Sequence, residues 1–405
     1  MQRRHFLNAF STATGAALLA AHAPGWAQGV AQRPSSVADR ILILVELKGG
    51  NDGLNTVVPF ADPMYMQLRP VIGLKADQVL PLDARTGLHP ELKPLLGLWE
   101  KGQIGIVQGV GYPEPNLSHF RSIEIWETGS NSTEYLPDGW AARGMKAGFA
   151  AKGNFTTEGV LIGGTEMGAL AGARAISLNN PEAFVNQSRF ALGTDPVLAA
   201  RAKSNPALQN LLRVEGDINQ AANGLRGEKY NFTTVFPAGG FGNSVKAAAQ
   251  VVASQVAKPA GEGGVPVITL SLGSFDTHQN QLGTHAALMK QLAEGLVALQ
   301  SSLTELGAWD RTLVMTFSEF GRRARQNNSN GTDHGTTAPH FVLGGAVRGG
   351  LYGQPADLTR LDAAQNALYT TDFRQLYCTV AKDWWGVNPE VVTHGRFEPV
   401  NFLKT

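Results

Sequence analysis

Short, continuous apolar runs recur along the chain, and helical patterns separate them. The first run, Ile41 to Leu47, reads ILILVEL and is followed by Lys48 and two glycines. An apolar run of this length next to glycine is typical of a parallel strand buried on both faces. Five further runs have the same character: residues 104–110, 159–162, 265–272, 312–317 and 341–343. Alternation of such runs with helices predicts an α/β fold, with a mostly parallel sheet and helices on both faces.

Helical spacing is clearest between Gly283 and Leu306, where leucines recur at intervals of three and four residues. This stripe predicts one long helix that packs on the sheet. Residues 195–258 also have helical character, and a Pro/Gly-rich segment follows them. We therefore expect a helical insertion at about residues 195–258, inside a single domain that spans residues 39–405.

The N-terminus has the pattern of an export signal. Arg3 and Arg4 precede an apolar, Ala-rich stretch that ends in small residues at Ala27. Paired arginines before a mild Ala/Gly core are typical of the twin-arginine pathway, which exports folded proteins; an ordinary secretory signal with a chance arginine pair is the alternative. We expect a signal peptide over residues 1–27, a linker over 28–38, the twin-arginine translocase as the partner during export, and a periplasmic or extracellular location.

Composition narrows the classes of partner and the source of stability. The formal charge is +1 and no long Lys/Arg run occurs, so nucleic acid is not an expected partner. The single cysteine, Cys378, allows no internal disulfide, so the core must supply the stability. After the signal peptide, no segment reaches the roughly 20 continuous apolar residues that a membrane helix needs.

Polar segments follow four of the apolar runs, at the sheet edge where ligands of open parallel sheets bind. In the first segment, Gly49 and Gly50 offer N–H groups that suit an anion, while Asn51 and Asp52 can ligate a metal. A tight turn capped by Asn and Asp is the alternative. The second segment places Ser118 at a predicted helix start.

Ser118 is a candidate nucleophile if a metal lowers the pKa of its hydroxyl, and Arg121 is a candidate clamp for an oxyanion. The alternative role of Ser118 is that of a helix cap. In the third segment, Asp276 and His278 stand two apart on an extended stretch, so both can face one ion. A cap for the long helix is the alternative there.

The fourth segment holds the densest group of potential ligands. Asp333 and His334 return after a Gly/Asn-rich loop to the neighbourhood of the strand that ends near residue 317. Hydrogen-bonded loop histidines are the alternative. The candidate metal ligands are therefore Asp52, Asp276, His278, Asp333 and His334, with Asn51, His119, Glu319 and His340 as possible further ligands.

These segments together resemble the domain-of-unknown-function 1501 family, twin-arginine-exported bacterial proteins of the alkaline phosphatase-like superfamily. The resemblance rests on the opening LKGGNDGLN, on SHFR at 118–121, on FDTH at 275–278 and on DHG at 333–335. It implies an alkaline phosphatase-like fold and divalent metal, with Zn, Mn, Fe, Mg and Ca all open. The superfamily usually holds two ions, so the resemblance implies Asp276 and His278 near one and Asp333, His334 and His340 near the other, and the number of ions stays open.

The resemblance also implies roles for particular residues. Ser118 falls where the superfamily has its nucleophile, and Asn51 or Asp52 where the ligand after the first strand belongs. The sequence departs from the superfamily in that Asp276 and His278 are two residues apart instead of four. A standard sulfatase is not expected, because the segment after Ser118 lacks the proline of the sulfatase signature.

Two hypotheses for function follow. The first is an exported metal-dependent hydrolase of phosphate or related esters, in which the metal activates a serine or a water against a small anionic substrate. The second is a secreted non-catalytic binding or scaffold protein that retains the alkaline phosphatase-like fold.

Overall fold

The structure is a computed structural model that describes residues 36–188, 196–226, 230–256 and 258–404. The expected signal peptide, 1–27, and the linker as far as residue 35 lie outside the described residues. The described chain begins with Ser36, whose side chain accepts a hydrogen bond from the amide of Ala38. This cap starts a short 3-10 helix, Val37–Asp39, that leads directly into the first strand.

The strands of the described residues form two sheets, one of nine strands and one of three. In chain order they are β1 (Ile41–Leu47), β2 (Val57–Val58), β3 (Leu80–Pro81), β4 (Gly87–Leu88), β5 (Ile104–Gly111), β6 (Gly159–Ile162), β7 (Ala175–Leu178), β8 (Val267–Leu272), β9 (Thr312–Phe317), β10 (Ala338–Leu343), β11 (Gly350–Tyr352) and β12 (Thr371–Asp372).

The large sheet has the order β11-β5-β10-β9-β1-β8-β6-β7, with β12 beside β5. All its pairings are parallel except those of β10, which runs antiparallel to both β5 and β9. The central strand β1 lies between β9 and β8, so that Leu44 pairs with Met315 on one side and Thr269 on the other. The carboxyl ends of these three strands therefore meet at one edge of the sheet.

The α-helices connect and cover the strands. They are α1 (Gly53–Thr56), α2 (Pro63–Leu68), α3 (Leu96–Glu100), α4 (His119–Thr128), α5 (Trp140–Gly144), α6 (Pro181–Gln187), α7 (Pro196–Ala202), α8 (Pro206–Leu225), α9 (Gly240–Val256), α10 (Gln281–Glu305), α11 (Phe373–Thr379) and α12 (Pro389–Thr393). Shorter 3-10 and π-helical turns join several of them. No helix among the described residues is both long and apolar enough to cross a membrane.

Side chains of β1 alternate between two hydrophobic cores, one on each face of the sheet. Ile43 and Val45 pack in the core that contains the leucine stripe of α10. Leu42 and Leu44 pack in the opposite core, which is rich in aromatic rings such as Trp140. Because both faces are covered, the strand has no polar side until Glu46, as its sequence indicated. The predicted α/β class, a mostly parallel sheet with helices on both faces, is confirmed.

Each of the six apolar runs forms a strand, and the leucine stripe forms α10, which begins at Gln281 and ends at Glu305. The run at 265–272 becomes a strand only from Val267. Proline at 266 has no N–H to donate to a neighbouring strand, although its carbonyl accepts a hydrogen bond from Leu42. Helices α7, α8 and α9 lie between β7 and β8, where the helical insertion was expected.

Candidate metal centre

Three loops at the carboxyl edge of the sheet carry the polar residues of the centre. Asp276 and His278 lie in the loop after β8, and Glu319 follows the end of β9 by two residues. His119 is the first residue of α4 and reaches the same place from the far side. The parallel order β9-β1-β8 explains why segments so distant in sequence meet here.

A hairpin-like loop returns the fourth ligand segment to this edge. Arg322 and His334 form an antiparallel bridge. On either side of it, the amide of Arg323 donates to the carbonyl of Asp333 (3.0 Å) and the amide of Gly335 to that of Gly321 (2.9 Å). This folding places Asp333 and His334 beside the end of β9, although His334 comes 17 positions after Phe317 in the sequence.

Three imidazoles direct one nitrogen each toward Asp276. The Nε2 atoms of His278 and His334 lie 3.0 and 3.2 Å from Oδ1 of Asp276, and 3.1 Å from each other. Nε2 of His119 lies 3.4 Å from Oδ2 of the same carboxylate. Potential ligand atoms of His119, Asp276 and His334 all lie within 4.8 Å of one another. Donor atoms of His119, Asp276 and His334 thus face one small volume, and Nε2 of His278 adjoins Asp276 and His334.

The opposite nitrogen of each ring, Nδ1, faces an oxygen acceptor. The pairs are His119 with Oε1 of Glu319 (2.9 Å), His278 with Oδ1 of Asp333 (3.3 Å) and His334 with the carbonyl of Leu117 (2.8 Å). Because carboxylates and carbonyls only accept, each Nδ1 carries the proton in these pairs. Each Nε2 then presents a lone pair to the centre, the arrangement in which histidine binds metal ions.

Arg322 fixes the loops around this group. Its side chain is buried, and it pairs with Oδ1 of Asp276 at 2.6 Å. The guanidinium also donates to the backbone carbonyls of Gly49, Gly50, Phe275 and Thr332. One arginine therefore ties together the loops that follow β1, β8 and β9.

Electrostatics keep the carboxylates of the centre ionised. Burial raises the pKa of Asp276, but the hydrogen bond and charge of Arg322 outweigh it and lower the pKa to about 2. For Asp333, burial is likewise outweighed by hydrogen bonds from Asn327 and His278, which hold the pKa below its usual value. Burial lowers the pKa of His334 and so favours the neutral ring. Both the carboxylates and this imidazole are therefore in the forms that bind a cation.

Gly49 and Gly50 have a structural role that differs from the expected anion site. The amide of Gly49 donates to Oε1 of Glu319 at 2.8 Å, so it is already engaged. Gly49 has φ +115°, and a Cβ there would lie 2.5 Å from the amide nitrogen of Asp276. Gly50 has φ +83° and lies against the ring of Phe320. The glycines allow the close approach of backbone segments beneath the centre.

Asn51 and Asp52, expected as ligands, point into the interior instead. Asp52 is fully buried and forms an ion pair with Arg69 at 2.6 Å. Oδ1 of Asn51 accepts from the hydroxyl of Thr56 (3.1 Å) and lies 3.3 Å from Nε2 of His285. Burial raises the pKa of Asp52, but the charge of Arg69 outweighs it and lowers the pKa. These two residues belong to a buried polar network below the centre.

Ser118 and Arg121 separate in the structure. Ser118 is exposed at the start of α4, and its side chain makes no cap hydrogen bond. Arg121 points away from the centre: it pairs with Glu124 at 2.9 Å, lies over the ring of Tyr135 and donates to carbonyls of the 131–134 loop. Its guanidinium is occupied in holding that loop, which corrects the expected oxyanion clamp.

His340 also lies away from the ligand group. It sits in β10 with 1% of its surface exposed, and its ring meets Trp126 edge to face at a centroid distance of 5.1 Å. Burial lowers the pKa of His340 to about 3, so the ring stays neutral. We reassign it from a possible ligand to a core residue.

The sequence does not identify the buried residues whose hydrogen bonds hold the ligand loops together. Arg322, Arg69 and Gln281 are buried, and their partners lie in other segments of the chain. The signal that could have found Arg322 is its position three residues after Glu319, in a segment that already held a candidate ligand.

Comparison with known proteins gives a family match over part of the chain. Residues 198–395 match the model of a family described as "Protein of unknown function (DUF1501)". The matched part contains the segments at 275–278 and 333–335, two of the four on which the resemblance in the sequence rests. A search of curated proteins finds no significant match.

Solved structures with a similar arrangement include Ps i-CgsB in complex with k-i-k-neocarrahexaose, at 12% identity, covering 89% of this chain and 75% of that one, with a TM-score of 0.43. A protein in the alkaline phosphatase superfamily from Vibrio parahaemolyticus is 9% identical. The match covers 88% of this chain and 70% of that one, with a TM-score of 0.41. The PsFucS1 sulfatase from Pseudoalteromonas sp. is 12% identical. The match covers 89% of this chain and 70% of that one, with a TM-score of 0.39. At this similarity no ligand or reaction transfers to this chain.

Proposed function

We propose that this protein, which matches the DUF1501 family over residues 198–395, is an exported metal-dependent hydrolase of phosphate or related esters. One observation carries the proposal. Three imidazoles, of His119, His278 and His334, hold their Nδ1 atoms against oxygen acceptors while their Nε2 atoms face the carboxylate of Asp276.

The donor set fits a divalent transition metal. With protons on Nδ1, the lone pairs of His278 and His334 face each other across 3.1 Å, which is unfavourable unless a positive charge lies beside them. Mixed imidazole and carboxylate ligands suit Zn, Mn and Fe, whereas Mg and Ca prefer sites made of oxygen alone. His119, His278, His334 and Asp276 would hold the ion, and Glu319 and Asp333 would orient two of the rings.

Charge balance supports a single ion. Asp276, Asp333 and Glu319 bring three negative charges to the centre, and Arg322 and Arg323 bring two positive charges. Partly buried charges need compensation. One divalent cation is enough to offset the remaining negative charge, and a second would leave a large positive excess, so we expect one ion per chain.

We take Ser118 as the candidate nucleophile. Its hydroxyl makes no hydrogen bond within the described residues. It lies between Leu117, whose carbonyl accepts from His334, and His119, a candidate ligand. When bound, the ion would polarise the ester and lower the pKa of a nearby hydroxyl or water. Backbone N–H groups at the start of α4, where the side chain of Ser118 makes no cap hydrogen bond, would orient an anionic group in place of Arg121 and Gly49.

The test is turnover of Ser118→Ala on a panel of phosphate, sulfate and phosphonate esters, beside its metal content. We expect the variant to lose turnover and keep its ion, and Ser301→Ala, on α10 away from the centre, to behave as the wild type. Full activity in Ser118→Ala would identify water as the nucleophile instead. Bound metal in the wild type with no turnover across the panel would favour the non-catalytic binding or scaffold protein.

The export part of the proposal rests on Arg3, Arg4 and the apolar stretch that ends at Ala27. We expect the full chain to accumulate in the periplasm or outside the cell, and its Arg3→Lys/Arg4→Lys double variant to remain in the cytoplasm. Cell fractionation measures this directly. Equal export of the double variant would point to the general secretory route.

A further inference from the structure

A single buried amide joins the two loops that supply the candidate metal ligands. Gln281 is the first residue of α10 and has no exposed surface. Its Oε1 accepts hydrogen bonds from the hydroxyls of Thr277 (3.0 Å) and Thr332 (2.7 Å). Its Nε2 donates to Oδ2 of Asp52.

The two threonines sit inside the ligand segments. Thr277 separates Asp276 from His278, and Thr332 directly precedes Asp333 and His334. The amide of Thr332 also donates to the carbonyl of Thr277 at 3.1 Å. A displacement of Gln281 would therefore move both ligand loops. A displacement of one loop would likewise be transmitted to the other through these hydrogen bonds.

The ion pair between Asp52 and Arg69 fixes the orientation of the Gln281 amide. Asp52 accepts from Nη1 of Arg69 at 2.6 Å, and both side chains are fully buried. Arg69 is held in turn by the carbonyls of Ala324 (2.9 Å) and Arg323 (3.0 Å). A carboxylate can only accept, so the NH2 end of Gln281 must face Asp52 and its oxygen must face the threonines. The amide thus has one orientation that satisfies every partner.

We propose that Gln281 is a positioning residue that sets the separation of the 276–278 and 332–334 loops and thereby the affinity of the centre for a divalent ion. The inference rests on the proposed metal function. It also gives Asp52 a role: the carboxylate that was expected to bind the ion acts through Gln281 on the residues that do. Residues that hold metal ligands in position without binding the ion themselves typically contribute about 10–100-fold to metal affinity.

The test compares Gln281→Met with Gln255→Met in the full chain. Gln255 is a matched control, because it is buried in α9 and, among the described residues, its Nε2 donates only to the carbonyl of Val251 in its own helix. Affinity for Zn²⁺ and Mn²⁺ is measured by competition with a chromophoric chelator. We expect Gln281→Met to weaken binding about 10–100-fold and Gln255→Met to leave it unchanged. Wild-type affinity in Gln281→Met would overturn the proposal.

A second readout does not depend on the ion. Hydrogen exchange of the Thr332 amide, measured in chelator, reports whether the two loops stay joined. We expect faster exchange in Gln281→Met than in the wild type and in Gln255→Met. If the wild type binds no ion, the metal function fails, whereas unchanged exchange in Gln281→Met defeats the positioning role alone.

If Gln281→Met does not fold, Thr332→Val replaces it. This change keeps the shape of the side chain and removes only the hydroxyl that donates to Gln281. We expect the same effects in the same direction, and a smaller loss of affinity because the bond from Thr277 remains. Unchanged affinity and unchanged exchange in Thr332→Val would refute the proposal.

Discussion

Replacing Arg322 by methionine removes the side chain that ties the three loops of the centre together. The guanidinium lies in the interior, so water cannot easily take over its hydrogen bonds. In the wild type it serves five acceptors: the carboxylate of Asp276 and the carbonyls of Gly49, Gly50, Phe275 and Thr332. Methionine has a similar length but no donor, so all five acceptors lose the hydrogen bond from Arg322, and only Phe275 and Asp276 keep another partner among the described residues.

The magnitude follows from these contacts. A buried acceptor left without a partner costs about 1–3 kcal/mol. Removing one member of a buried ion pair costs about 3–5 kcal/mol. The carboxylate of Asp276 is 42% exposed, so water screens part of that charge. Because loops can relax and admit water to some carbonyls, the separate costs do not add, and we expect a total loss of about 3–5 kcal/mol.

The assay is urea unfolding of the full chain in chelator, so that bound metal does not mask the change. Arg323→Met is the matched control: the side chain of Arg323 is 38% exposed, and its ion pair with Asp333 is long, at 3.8 Å. Exposed pairs contribute about 0–1 kcal/mol, so the control should lose less than about 1 kcal/mol. An equal, small loss in both variants would refute the structural role assigned to Arg322.

Three further changes test other parts of the structure. Burial and the nearby charge of Glu46 raise the pKa of Glu127 from 4.5 to about 8, so folding stability should fall as pH rises through this range. Glu127→Gln should reduce that fall in thermal melts recorded against pH, while the part due to Glu46, whose pKa burial raises to about 7, should remain. Burial lowers the pKa of His340 from 6.5 to about 3, so His340→Phe should reduce the loss of stability on acidification through this range and leave metal content unchanged. Gly49→Ala should cost at least about 1–2 kcal/mol in urea unfolding, because its φ is +115° and the new methyl would meet the backbone at Asp276.

The strands were predictable because the signal for a doubly buried strand is local. Every residue of the run Ile41–Leu47 except Glu46 is buried, so the apolar pattern shows directly in the sequence. The direction of β10 was not predictable in the same way. Its antiparallel pairing with β5 and β9 depends on the path of the loop before it, and a run of apolar residues has no direction.

The ligand group was partly predictable for a topological reason. Residues that follow neighbouring parallel strands share an edge, and this places Asp276, His278 and Glu319 together. Asp52 follows β1 equally closely but turns inward, because Arg69 and Gln281 satisfy its carboxylate in the interior. Those partners are 17 and 229 residues away in the chain, so no local pattern identifies them.

For His340 too, the local sequence does not show which way the side chain points. A histidine in a ligand-rich segment suggested metal binding, yet the side chain alternation of β10 turns it toward Trp126 in the core. Arg121 was similarly uninformative by itself, since its partners are carbonyls of a loop that begins ten residues later. Residue type and spacing identify potential donors, whereas the direction in which each side chain points depends on the assembled sheet.

X-ray absorption at the metal edge, combined with elemental analysis of the protein purified from its native host, tests the central claim most directly. The arrangement of His119, His278, His334 and Asp276 predicts one transition-metal ion per chain, with imidazole scattering from about three rings and nitrogen distances of about 2.0–2.2 Å. A protein that retains no ion after exposure to Zn²⁺, Mn²⁺ and Fe²⁺, or an ion surrounded by oxygen without imidazole, would contradict the account.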